Sequence, residues 1–199
     1  MADGFGRFGL RQAVVQRPDE MAGQLPELAR YRPRFAEPER PDASPTLVRT
    51  PSGGELDVAD PALAAELGPG VRVIKQDRGV FDTMPLSLLS TQTLAGLGRL
   101  VGADLVAERF RPNLLVDAAV GEFPEDAWVG RVLRIGALRM RVDQRDQRCV
   151  MVTIDPVTLV RNPAILRAIA RNRDARVGVY GTTVEPGRVT VGDPVELES

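Results

Sequence analysis

The chain has 199 residues, 43% hydrophobic and 27% charged, with a formal net charge of −1. That balance fits one folded domain, with or without a small appendage, and gives no electrostatic footprint for nucleic acid or anionic membrane. With no histidine and a single cysteine, the chain cannot form Ser-His-Asp triads, Cys-His dyads, imidazole-bound metals, internal disulfides or two-cysteine zinc sites.

No run of about 18 apolar residues is present to span a bilayer. The start, MADGFGRFGLRQ, lacks the apolar core of a secretion signal. A cytoplasmic setting with the thiol kept reduced is expected. Positive charge is nearly all arginine, Lys75 being the one lysine.

Residues 1–45 are poorly patterned, and their prolines at 18, 26, 33, 38, 41 and 45 forbid long helices. Phe8, Leu10, Val14 and Val15 suit one strand. The rest reads equally as a partial N-terminal lobe on the periphery or as disordered chain. From residue 46 to 199 the punctuation becomes regular. TLVRT followed by PSGGE is a strand and a turn. Asp60, Pro61 and Gly68 bracket a short helix as cap, first residue and terminator. VRVIKQ (71–76) alternates as a strand, and LSLLS (86–90) is a second.

TQTLAGLGRLVG then places Leu94, Leu97 and Val101 on one helical face, with Gly96 and Gly98 implying close packing. LLVD is a strand, and GEFPEDAW an acidic, aromatic turn. RVLRI, Gly136-Ala137 and LRMRV form a hairpin with Leu138, Met140 and Val142 on one face. RCVMVTI alternates like a strand, with Cys149, Met151 and Thr153 on one side. Asn162-Pro163 caps a helix whose Ile165, Leu166 and Ile169 turn inward. RVGVYGTTV and RVTVGDPVEL are two last strands around Glu185-Pro186-Gly187. Short strands, tight turns and few helices predict a mostly-β fold, a closed or half-closed barrel with a few peripheral helices.

Gly4, Gly6 and Gly9 satisfy the spacing of a dinucleotide loop, but that loop needs a strand before it, and only three residues precede Gly4. It reads as a flexible terminus.

A lone cysteine is by default a small buried hydrophobe. Arg145 and Arg148, with Arg141 further back, give Cys149 another reading, because nearby cations favour the thiolate that attacks, carries sulfur or binds a soft metal. Ser90, Thr91 and Thr93 stand at a predicted helix start. Hydroxyl residues there are first of all caps, and the same place is a natural seat for phosphate. Arg109 and Arg111 offer forked donors to an anion, and Asn113 offers a donor and an acceptor.

Four segments in order resemble the MOSC domain, named for the C-terminal part of molybdenum cofactor sulfurases. They are VFDTMPLSLLSTQTL (80–94), RFRPNLLVD (109–117), FPEDAWVGRVLRIG (123–136) and DQRCVMVTIDP (146–156). The resemblance spans about residues 45–198 and implies a β-barrel that binds molybdenum cofactor (molybdopterin) or handles sulfur destined for it. In amidoxime-reducing relatives the cysteine ligates molybdenum. By that likeness Cys149 is the catalytic group, as metal ligand or persulfide carrier. Ser90, Thr91, Thr93, Arg109, Arg111, Asn113, Gln147 and Arg148 are then the cofactor-binding set. A carrier implies a pyridoxal-phosphate-dependent cysteine desulfurase as partner, and an oxidoreductase implies a redox partner. A non-catalytic scaffold on a degenerate barrel is the alternative. Longer relatives open with a Tyr-Pro-Val-Lys-Ser-like motif that grips the cofactor phosphate, and no such motif precedes residue 45.

Overall fold

Eleven strands and three α-helices run through the described residues (13–16, 28, 30–40, 43–75, 83–118 and 121–198) of the computed structural model. The chain divides into two compact units, residues 1–81 with 156–159, and 82–155 with 160–199.

In the first unit β1 (Ala13–Gln16) pairs antiparallel with β5 (Arg72–Lys75). β2 (Arg32–Phe35), β3 (Thr46–Arg49) and β4 (Glu55–Asp57) form a three-stranded sheet. The helix α1 (Pro61–Leu67) starts as expected, with Asp60 accepting from the Ala62 amide at 2.8 Å. Tyr31, Val48, Val58 and Leu63 make this unit's buried core. Of the strand expected over Phe8–Val15, Phe8 and Leu10 lie outside the described residues, as do Gly4, Gly6 and Gly9.

The second unit is one six-stranded sheet. It contains β6 (Leu86–Ser90), β7 (Leu114–Val116), β8 (Val132–Ile135), β9 (Leu138–Gln147), β10 (Arg176–Glu185) and β11 (Val195–Leu197), in the order β11-β8-β9-β10-β6-β7. Every pair is antiparallel except β6–β7. β9 and β10 meet with three irregularities of register, and such bulges bend and coil a sheet. The result is a curled half-barrel, so the mostly-β expectation holds. At the first irregularity Gly178 takes φ 73°, where a side chain would be strained.

Each face of this sheet has its own core. Leu88, Leu133, Met140, Val142 and Val179 fill one side. On the other, Leu89 and Val177 pack beneath α2 (Thr91–Val101) and α3 (Pro163–Arg173), against Leu97, Ile165 and Ile169. The alternation of Leu138, Met140 and Val142 and the helical faces of α2 and α3 are as the sequence predicts. Gly96 permits the close approach expected of it, since a Cβ there would lie 2.8 Å from Glu122 Cγ. Of the last predicted strand only Val195–Leu197 forms.

One element is not what its pattern predicts. RCVMVTI is not a strand: β9 ends at Gln147, and Val150–Thr153 is a 3-10 turn. Gln147 lies opposite Arg176, the first residue of β10, so beyond it the chain has no β10 residue to pair with. Thr153 Oγ1 donates to the Val150 carbonyl at 2.7 Å and closes the turn. Val152, Thr153 and Ile154 are then buried in succession, which no strand alternation allows.

Candidate functional site

The sheet gathers several chain ends at one edge. β6 and β7 are parallel with Ser90 opposite Val116, and β10 runs antiparallel to both β6 and β9. The C-terminal ends of β6, β7 and β9 therefore leave the sheet on the same side. Cys149 follows β9 there, exposed and at the head of its 3-10 turn.

Two arginines stitch this turn to the loop before β7. Arg109, in a 3-10 turn over Ala107–Arg109, pairs with Asp155 at 2.8 Å and reaches the Val152 carbonyl at 3.4 Å. Arg148 donates from Nη1 to the Phe110 carbonyl (2.9 Å) and from Nε to the Val177 carbonyl (2.8 Å), and its Nη2 stands 2.9 Å from Asp146 as an ion pair. Its side chain is 7% exposed and that of Asp146 2%. Burial lowers the Arg148 pKa from its ordinary value, and the negative charge of Asp146 opposes that shift. Both guanidinium groups are thus engaged inside the fold.

Other predicted residues divide the same way. Ser90 is fully buried and caps α2, accepting from the Thr93 amide at 3.0 Å. Its hydroxyl donates to Glu125 Oε2 at 2.7 Å. Thr93 is buried, and its hydroxyl has no hydrogen-bond partner among the described residues. Asn113 sits at the other end of the β6–β7 pair, its Oδ1 accepting from the Ser87 amide and hydroxyl at 2.9 and 3.0 Å. Thr91, Arg111, Gln147 and Cys149 are exposed. The Arg111 side chain has no partner among the described residues, and its backbone is left-handed at φ 54°, a conformation that is costly for a bulky residue.

Arg145 and Arg141, expected to activate the thiol, are engaged elsewhere. Arg145 pairs with Asp126 at 3.2 Å, and Arg141 pairs with Asp143 at 2.6 Å.

The turn expected over GEFPEDAW forms as a 3-10 turn at Pro124–Trp128, but sequence reasoning missed what its two acids do. Its fully buried Glu125 holds Ser90 through both backbone and hydroxyl. The next residue, Asp126, pairs with Arg145 on β9 and Arg173 at the end of α3. The only signal was Pro124 before two acids, which reads as an ordinary solvated turn.

Among the described residues, no group of three or more Cys, Asp or Glu side chains is placed to hold a metal ion. A metal at this edge would have to bring most of its ligands with it. The chemistry of the exposed residues fits such a group: Cys149 supplies one soft sulfur at this edge, and Arg111, next to the Phe110 carbonyl that Arg148 holds, an unengaged guanidinium for an oxyanion. No described helix is long and apolar enough to cross a membrane.

Comparison with known proteins gives consistent relatives. The chain is 30% identical to human mitochondrial amidoxime-reducing component 1 over 129 residues, 58% of this chain and 37% of that protein. It is 31% identical to the molybdenum cofactor sulfurase of Drosophila erecta over 48% of this chain and 13% of that protein. The chain therefore spans well under half the length of these relatives. Among solved structures, YiiM from Geobacillus stearothermophilus aligns with TM-score 0.47 and 18% identity, covering 64% of this chain and 67% of that one. The MOSC domain matches residues 75–196, more than half of the sequence, and the chain belongs to the MOSC domain family.

Proposed function

We propose that this chain binds molybdenum cofactor at the edge where β9 ends, with Cys149 as the protein's sulfur ligand. The observation that carries the reading is Cys149 itself, an exposed thiol at the head of a turn fixed by two buried arginines. Arg111 lies next to Phe110, whose carbonyl Arg148 holds, and its free guanidinium would take an oxyanion of the ligand. Thr91 and Gln147 are exposed on the same side of the sheet and would add neutral hydrogen bonds. Bound here, the cofactor would supply two-electron redox chemistry. The relatives' names, an amidoxime-reducing component and a cofactor sulfurase, support two versions of the role. In one, Cys149 ligates molybdenum in an oxidoreductase served by a redox partner. In the other, Cys149 accepts sulfane sulfur from a pyridoxal-phosphate-dependent desulfurase and passes it on as a persulfide carrier. A cytoplasmic setting suits both.

The experiment is expression with cofactor supplied, followed by assay of molybdenum, released pterin and cyanide-labile sulfur in wild type and Cys149→Ser. Stoichiometric molybdenum that disappears in Cys149→Ser is the expected result for the ligand role. Labile sulfur without metal identifies the carrier. Neither in the wild type overturns both versions. It would leave a scaffold, a reading favoured by the engagement of Ser90, Arg109 and Arg148 within the fold.

A further inference from the structure

Arg148 was expected to touch a ligand, and its guanidinium donates to two internal carbonyls and pairs with one carboxylate, groups that belong to three different segments. The Val177 carbonyl lies in β10, the Phe110 carbonyl in the loop before Arg111, and Asp146 in β9. Its own amide donates to the Ala175 carbonyl at 2.8 Å. The room for the fork comes from Gly178, where a Cβ would stand 3.1 Å from Arg148 Nη2 and 2.8 Å from the Leu88 carbonyl. The residue after Arg148 is Cys149, and the residue after Phe110 is Arg111. The Arg148 side chain and its hydrogen bond to Phe110 thus link the backbone that carries the sulfur to the backbone that carries the free guanidinium.

We propose that Arg148 is a positioning residue that fixes the Cys149 turn against the Arg111 loop. A planar, forked donor can hold two carbonyls in fixed directions while its charge faces a carboxylate, and a lysine has no such fork. Arg109 pins the far end of the same turn, at Val152 and Asp155, and so leaves the head of the turn to Arg148.

The chain has one cysteine, so a nitroxide attached by a methanethiosulfonate reagent reports on Cys149 alone, and no cofactor is needed. Its spectrum tests the placement of the sulfur whether or not the cofactor reading stands. Wild type is expected to give a restricted line shape. Arg148→Lys should raise the mobile fraction severalfold while far-UV circular dichroism stays native. Asp146→Asn, which removes the ion pair beside the fork, should give an intermediate spectrum, and Arg109→Lys should leave the label restricted. Wild-type spectra in both folded Arg148→Lys and Asp146→Asn would overturn the proposal. So would equal mobilisation by Arg109→Lys, which indicates general loosening. If neither Arg148→Lys nor Asp146→Asn folds, the pair is a folding determinant rather than a positioning device, and the proposal also falls.

Discussion

Arg148 and Glu125 illustrate a common difficulty in reading single residues. Both are charged, both are buried, and both work mainly through groups that sequence does not distinguish. Arg148 binds carbonyls of Phe110 and Val177, and every residue has a carbonyl. Glu125 accepts from the Ser90 amide and hydroxyl, 35 positions away. By contrast the caps were legible because their partners are local: Asp60 with Ala62, Ser90 with Thr93, Asn162 with Ala164. Cys149 was legible as the one thiol, and its exposure came only with the fold. At Gly178 the structure makes a sharp prediction. Gly178→Ala adds a methyl group against the Leu88 carbonyl at a positive φ, and it should lower unfolding stability by about 1–3 kcal/mol, read as a reduced urea midpoint.

Elements with a strong apolar period came through the sequence well. The β8–β9 hairpin and helices α2 and α3 follow their patterns because each buries one face against a neighbour. The segment after Gln147 failed for a reason of pairing rather than composition. Its alternation suits a strand, but a strand ends where its partner begins, and that limit is set by Arg176 at the other side of a helix. The last strand shows a second dependence on partners. β11 is only Val195–Leu197, and it is tied to the β8–β9 hairpin by Arg134–Glu196 and Arg139–Glu198. The hydrogen bond from Arg139 holds the Glu198 carboxyl below its ordinary pKa. A depressed carboxylate pKa stabilises the folded strand above the unfolded value, about 4.3, and that contribution is lost as pH falls through the folded value. Hydrogen exchange at residues 195–197 should therefore keep its protection from neutral pH down to the unfolded carboxylate value, about 4.3, and lose it as the pH falls further. High salt should weaken it as well, because the pairs are exposed. Unchanged protection under both conditions would show that backbone pairing alone retains the strand.

For the whole molecule, the fold class was available from short strands, turns and few helices, while strand order was not. Val179 meets Leu88 and Val195 meets Ile135, contacts between distant parts of the chain that local patterns do not encode. Such pairings make folding slow, on the order of milliseconds to seconds for β-rich domains. They also converge on one layer, where Met140 is fully buried among Leu88, Leu133 and Val142. Met140→Ala should cost about 2–5 kcal/mol. Trp128, the one tryptophan, packs against that layer, so its fluorescence provides the measurement. The irregularity at Gly178 has a consequence at this scale too. Residues two apart on a regular strand share a face, yet Val177 and Val179 supply opposite cores. Val177 and Gly178 together stand opposite Asp146, so the extra residue acts as a dislocation that reverses the phase of β10 partway along its length. One strand can then feed the helix-covered core at its beginning and the barrel interior beyond it. The crossing point between these two phases is also where the chain anchors the arginine that precedes its one cysteine.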